Sequence, residues 1–239
     1  MTAFASSPFA APSTNKFAKL RSVSREIIGI KLEPIVALSS SRIVGMELLS
    51  VLASPEKSEQ FFQHQSANQS LMLLETQLAA LKNTPYSRNL FINLPITVFV
   101  ETEYFVRILP LLASGQNIEI VDPHSFLLLS AESRACVTQR LQTLADRGCR
   151  IWLDDVNDSL IRSFLHCRLP LSGIKIDKMV FWRKRGTPAL AQLVSHCAQV
   201  ASNVLIEGIE SHWDRECALQ AGAGFGQGYY WPSVGWSEE

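Results

Sequence analysis

Carboxylates and their partners recur in this sequence at the ends of short apolar runs. Glu47 follows RIVGM, Glu119 lies within NIEIVD, Asp154 and Asp155 close RIWLDD, and Glu207 closes NVLIE. Asn93 in LFINLP, Lys175 in GIKID and Gln227 in GFGQG hold equivalent places. A carboxylate at a strand end is costly to bury unless it is paired or holds a metal. Gathered at one mouth of a barrel, such oxygen donors suit Mg²⁺ or Mn²⁺ rather than zinc. Two adjacent aspartates can divide two cations, an arrangement that activates water and stabilises the leaving oxygen of a phosphodiester. A lysine among them can orient that water or neutralise developing charge. Taken singly each residue has an ordinary reading: a solvated Glu, a turn at Asp154-Asp155, a salt bridge from Lys175 to Asp177 or Glu207. Their joint placement at successive strand ends is what points to a site.

The elements that must position them alternate along the chain from Glu26 onward. IIGIKLEPIVAL and SSRIVGMELLSV are two strands close enough for an antiparallel hairpin. QSLMLLETQLAALKN sets Leu71, Leu74, Leu78 and Leu81 on one helical face. LFINLP is a strand that Pro95 stops, and a short helix around VRILPLLAS leads to the strand NIEIVD. A helix starts at Ser130 and runs through RLQTLADRG, with Gly148 just past its end. RIWLDDV, GIKID, NVLIEGIE and GFGQGYYW read as strands; SLIRSFLHCRLP, PALAQLVSHCAQVAS and SHWDRECALQAG, the last capped by Ser211, read as helices. The alternation predicts an α/β fold, a (β/α)8 barrel of TIM type with its first strand pair antiparallel. Little sequence follows Gln227, so the C-terminal helix is expected to be short or missing, leaving an open edge or a partner subunit there.

Composition agrees with one enzyme-sized domain: 239 residues, 47% of them hydrophobic, can bury a single large core. Residues 1–25 hold no acid and are rich in Ser, Ala and Pro, which predicts a flexible tail ahead of a barrel domain at 26–239. The formal net charge is zero and no basic stripe is present, so neither a nucleic-acid polymer nor an anionic membrane is expected as partner. No apolar run approaches the roughly 20 residues that span a bilayer. The five cysteines are scattered, without a C-x-x-C pair, which reads as reduced thiols in a cytoplasmic protein.

EPIVALSSSRIVGMELL, FINLP, IEIVD, WLDDV, IKID, LIEGIE and FGQGYYW together resemble the EAL-domain cyclic-di-GMP phosphodiesterases, in that family's order and at about its spacing. The resemblance covers nearly everything from Ile27 to Trp231. It implies that Glu47, Asn93, Glu119 and Asp154 bind one divalent cation, Mg²⁺ or Mn²⁺, and that Asp155 shares a second with Asp154. It further implies that Lys175 positions or deprotonates the attacking water, with Glu207 and Gln227 beside the metals and Glu210 as a supporting acid. The implied reaction is hydrolysis of cyclic-di-GMP to linear pGpG, with Glu33, Leu49 and Asp122 at substrate-side positions.

The departures bear on activity. The E-A-L signature reads Glu47-Leu48-Leu49, the arginine four positions after the glutamate is Val51, and the first-strand glutamine is Glu33, beside an anionic ligand. The loop D-D-F-G-T-G-x-x-S becomes Asp154-Asp155-Val156-Asn157-Asp158-Ser159-Leu160-Ile161-Arg162 and loses both glycines, which predicts a different path. Asp122 replaces the glutamate that anchors this loop. These changes keep a second reading open: a weak or inactive EAL-like protein that regulates by binding a partner protein such as a transcription regulator, with the aromatic end Tyr229, Tyr230, Trp231 and Trp236 as a surface. A homodimer is a further expected partner, and a cyclic-di-GMP receptor that does not cut is a third reading.

Overall fold

The structure, a computed structural model, describes residues 14–54, 58–82, 84–87 and 89–237. The chain opens with helix α1 (Thr14–Val23) and the long strands β1 (Ile27–Ala37) and β2 (Arg42–Leu52). Helices α2 (Ser58–Gln63) and α3 (Ala67–Leu81) lead to β3 (Leu90–Leu94), and α4 (Thr97–Val100) and α5 (Thr102–Ile108) to β4 (Asn117–Ile120). Then come α6 (Pro123–Leu128), α7 (Ala131–Asp146), β5 (Arg150–Val156), α8 (Asp158–Phe164) and β6 (Leu171–Ile176). The chain continues through α9 (Lys178–Lys184), α10 (Pro188–Val200), β7 (Asn203–Ile206), α11 (His212–Gln220), β8 (Phe225–Gly226) and β9 (Val234–Ser237). Side-chain caps fix several helix starts: Ser66 and Gln69 form a capping box on α3, Ser130 caps α7, and Ser211 with Asp214 boxes α11.

Strands β2 to β8 are parallel and pair in sequence order; β1 is antiparallel to both β2 and β8 and closes the barrel. Because β2 occupies one edge of β1 along its length, β8 and β9 share the other. They run in the same direction there, β8 opposite Val36–Ala37 and β9 opposite Leu32–Gly29. Together they act as one barrel strand, interrupted by an excursion over residues 227–233. The expected strand GFGQGYYW is therefore confined to Phe225–Gly226, and the expected open edge is instead paired by β9. No helix follows α11 among the described residues.

Within the stretch expected as a flexible tail at 1–25, Thr14–Val23 form α1, a helix lying against α3 and β1 with Leu20 fully buried. Burial of that leucine offsets the poor intrinsic signal of a Ser- and Lys-containing segment. Residues 1–13 lie outside the described residues.

Two cores result. The larger lies between the sheet and the helices, and a smaller one fills the barrel: Ile35, Phe91, Trp152 and Leu205, with Phe225 packed against them. Ring and glycine alternate in this inner layer, as a small barrel requires. A Cβ at Gly45 would meet the Phe91 ring at 2.6 Å, and one at Gly173 would overlap the Trp152 ring outright. Trp152 Nε1 donates to Asn117 Oδ1 at 3.0 Å, so the buried indole N–H is satisfied. This layer is the floor on which the next layer of inward residues stands, two positions further along each parallel strand and two positions earlier on the antiparallel β1. Gly173→Ala is expected to destabilise the protein by about 1–3 kcal/mol through overpacking, read as a lower urea midpoint, and Trp152→Phe in the same chain should recover part of the loss.

Candidate functional site

Strand alternation carries Glu33, Glu47, Asn93, Glu119, Asp154, Lys175, Glu207 and Gln227 into one polar layer above the aromatic floor, each two residues from an inner-core or small residue on its strand. Lys175 stands at its centre, with no solvent exposure. Its Nζ lies 2.9 Å from Glu207 Oε1, 3.0 Å from Glu119 Oε1, 3.1 Å from Asp154 Oδ1 and 3.4 Å from Glu47 Oε2. Glu47 is held from both sides: Asn93 Nδ2 donates to Oε1 at 2.8 Å, and Gln227 Nε2 donates to Oε2. Gln227 Nε2 also donates to Glu33 Oε2 at 3.2 Å, and the other Glu33 oxygen takes the Lys31 ammonium at 2.5 Å.

Asp155 reaches the site by a local irregularity. Regular alternation would turn it away from Asp154, but the pairing of β5 with β6 slips between Leu153 and Val156, and Asp155 has φ 50°. Aspartate is among the few residues that adopt this left-handed conformation readily. With that turn, Asp154, Asp155 and Glu207 each present an oxygen within 4.8 Å of the others.

The electrostatics follow from burial around a single cation. Burial pushes the Lys175 ammonium down, but the four carboxylates outweigh it and hold its pKa well above the ordinary value. Burial pushes Glu47 up, and Lys175 with the amides of Asn93 and Gln227 brings it below the usual carboxylate value. Glu119 and Glu207 go well above theirs through burial, assisted in Glu119 by the Glu47 charge. Asp154 is raised by burial against the pull of Lys175, and Asp155, exposed at the rim, is raised to about 6 by partial desolvation and the Asp154 charge. Five carboxylates thus share one lysine, an excess of negative charge that one ammonium cannot neutralise.

Asn93 Oδ1, Gln227 Oε1 and Glu119 Oε2 are buried without a hydrogen-bond donor, while Glu119 Oε1 and Asp154 Oδ1 face the Lys175 ammonium. Buried oxygens with free lone pairs, supplied by carboxylates and amides alone, fit a hard divalent cation. The residues present therefore fit Mg²⁺ or Mn²⁺.

The remaining sequence candidates fall at the margin. Leu49 lies on the inner face two residues past Glu47, half-buried and opposite Lys31. Asp122 sits at the start of α6, where Oδ1 accepts from Ile96 N–H at 2.7 Å; burial raises its pKa. It makes no hydrogen bond to the segment after β5 among the described residues. Glu210 is exposed, its backbone N–H donating to Asp214, and it does not join the ion pairs of Lys175. The expected loop after Asp155 is short: Val156 ends β5, and Asn157 Oδ1 accepts from Ser159 N–H and Leu160 N–H to cap α8. Asp158 pairs with Lys184 of α9 at 3.1 Å. An extended Asn157 (φ −119°) leading into a capped helix has no need of glycine. Sequence reasoning passed over Lys31; the signal was its period-two spacing with Glu33 and Ile35 on β1.

A closed barrel with an acidic, oxygen-only mouth around one buried lysine defines the class. The EAL domain family profile matches residues 19–233, and the chain belongs to that family. Among solved structures, an EAL domain protein from Listeria monocytogenes is similar at 17% identity and TM-score 0.69, covering 94% of this chain and 95% of that one. The EAL domain of FimX from Pseudomonas aeruginosa, bound to c-di-GMP, shares 18% identity at TM-score 0.67, with 90% and 94% covered. A Klebsiella pneumoniae protein in a manganese and cyclic-di-GMP complex shares 18% identity at TM-score 0.63, with 90% of this chain and 60% of that one covered. No curated protein matches the sequence significantly. No helix among the described residues is long and apolar enough to cross a membrane.

Lys175→Met is expected to lower stability at pH 7.5 by about 3–5 kcal/mol, because buried carboxylates lose their counter-charge. The loss should shrink near pH 5. Acids whose folded pKa is raised contribute most below their unfolded pKa, and that contribution disappears as pH rises through the folded value. Denaturant unfolding at the two pH values checks this; an equal loss at both would count against the charge argument.

Proposed function

We propose that this protein hydrolyses one phosphodiester of cyclic-di-GMP to give linear pGpG, acting with Mg²⁺ or Mn²⁺, two per site. The observation that carries the reading is the ring of buried oxygens without donors around Lys175, on an EAL barrel. Glu47, Asn93, Glu119 and Asp154 would hold one cation, and Asp155 with Asp154 the second. Bound there, the cations would supply Lewis-acid activation of water and charge neutralisation at the phosphodiester.

The side chains do the rest. Lys175 Nζ, between Asp154 and Glu207 at 3.1 and 2.9 Å, holds both carboxylates in place and sets positive charge beside the phosphate. Glu207, whose pKa burial holds above the ordinary carboxylate value, stands between Lys175 and the two aspartates, where an acid-base group beside the reacting water would be placed. Gln227 fixes Glu47 by its amide and keeps Oε1 free to accept from water. Leu49 and Glu33 line the substrate side, and Asp122 and Glu210 support the surrounding turns. Lys31 partners Glu33, so the acid found in place of the family's glutamine does not stand alone against an anionic ligand.

One observation favours a second reading. The segment Val156–Ser159 ends as a capped helix tied to α9, which replaces the family's glycine-containing connection with a rigid one. Such a protein could turn over slowly, or act through a partner protein or a second copy of itself.

Chromatography of cyclic-di-GMP incubated with the protein and Mn²⁺ or Mg²⁺ should show pGpG, and Glu47→Ala should abolish it. Calorimetric Mn²⁺ binding should disappear in both Glu47→Ala and Asp154→Ala while their thermal unfolding stays cooperative. No product together with no nucleotide binding would transfer the assignment to the partner-binding reading.

A further inference from the structure

The inner face of β1 carries an acid where the family's pattern has an amide, and its neighbours give that acid a task. Glu33 stands opposite Glu47 in the β1–β2 pairing, and the amide nitrogen of Gln227 sits between their carboxylates. Gln227 is 4% exposed. An ionised carboxylate only accepts hydrogen bonds, whereas a side-chain amide offers two N–H donors on one side and a carbonyl oxygen on the other. Flanked by two acceptors, Gln227 has one satisfied orientation: both N–H bonds spent on Glu33 and Glu47, and Oε1 turned away. That oxygen is buried and has no donor.

Asn93 repeats the pattern on the other side of Glu47, giving its N–H to Oε1 and leaving its own Oδ1 unpartnered. For Asn93 one carboxylate sets the orientation; for Gln227 two do. The second Glu33 oxygen is occupied by Lys31, so this carboxylate is itself pinned on both sides. A glutamine at position 33 could present either its carbonyl or its N–H to Gln227, leaving Glu47 alone to set that amide.

We infer that Glu33 is a positioning residue: paired with Lys31, it locks the Gln227 amide so that its carbonyl oxygen is offered as an acceptor or ligand to the metal and water side of the site. The inference deepens the metal-dependent reading above and rests on it for its consequence, although the orientation itself does not. It also changes what Glu33 means. Its charge, which would repel an anionic ligand, is used by Gln227 and Lys31 instead.

The two parts separate experimentally. The side-chain amide protons of Gln227, assigned by their loss in Gln227→Ala, are expected in ¹⁵N-resolved NMR spectra as a slowly exchanging pair. Glu33→Ala should move one proton of the pair towards the position of a free amide and speed its exchange. An unchanged pair overturns the proposal, whatever the metal does. For the consequence, Mn²⁺ affinity by calorimetry should weaken about 10-fold in Glu33→Ala, the lower end of what loss of an outer partner does to a metal site. Glu33→Ala should then cost nothing further in a Gln227→Ala background, and Glu33→Gln should recover only part of the loss. Additive losses would mean that Glu33 acts by charge and not through Gln227, which overturns the proposal. Absence of Mn²⁺ binding in the unmodified protein, with the NMR shift present, would instead remove the metal-dependent reading and leave the orientation standing.

Discussion

A single buried ammonium surrounded by carboxylates organises this molecule. Lys175 is fully enclosed, and Glu47, Glu119, Asp154 and Glu207 come from four different strands to meet it. An uncompensated charge at this depth would be expelled or neutralised, so the strands must keep their register for the layer to exist. The inner aromatic layer serves the same end. Phe91 and Trp152 fill the barrel below, opposite Gly45 and Gly173, and exclude water from the underside of the acids.

The same layer is incomplete as a set of charges. One lysine answers five carboxylates, the pKa values of Glu119 and Glu207 are driven up, and several buried oxygens find no donor. Interiors that serve only as structure leave few such groups. Here they converge on one place, the mouth of the barrel around Lys175, and such local departures from full satisfaction are a mark of sites rather than of structural cores.

Departures from the family pattern have physical counterparts. Loss of two glycines after Asp155 coincides with a helix start that Asn157 caps, so the substituted residues are self-consistent and need no positive φ. Asp155 itself has the unusual backbone angle, φ 50°, that turns it into the mouth. Replacement of the first-strand glutamine by Glu33 is met by Lys31 on the same face of β1. The arginine missing at Val51 has no replacement at that position, and pairing places Lys31 of β1 opposite Leu49.

Much of this was legible in the order of residues, because a strand has a period of two and a polar residue at the end of an apolar run has few places to go. That reasoning located Glu47, Asn93, Glu119, Asp154, Lys175, Glu207 and Gln227, and the turn and cap chemistry of Ser130, Gly148 and Ser211 set helix boundaries. Three things needed the folded chain. The turn of Asp155 depends on a register slip against β6, which involves residues distant in sequence. The completion of the barrel by β9 depends on a free stretch of β1 that opens because β8 pairs for only two residues. The orientation of Gln227 depends on Glu33 and Glu47, which lie nearly the whole chain away from it. Asp155 apart, sequence by itself determined which side chains face inward, since strand alternation is a local property of the backbone. Which of them touch, in which direction each titration is shifted and which oxygens are left without a donor were decided only by closure of the barrel, because those are properties of pairs that the chain brings together from distant segments.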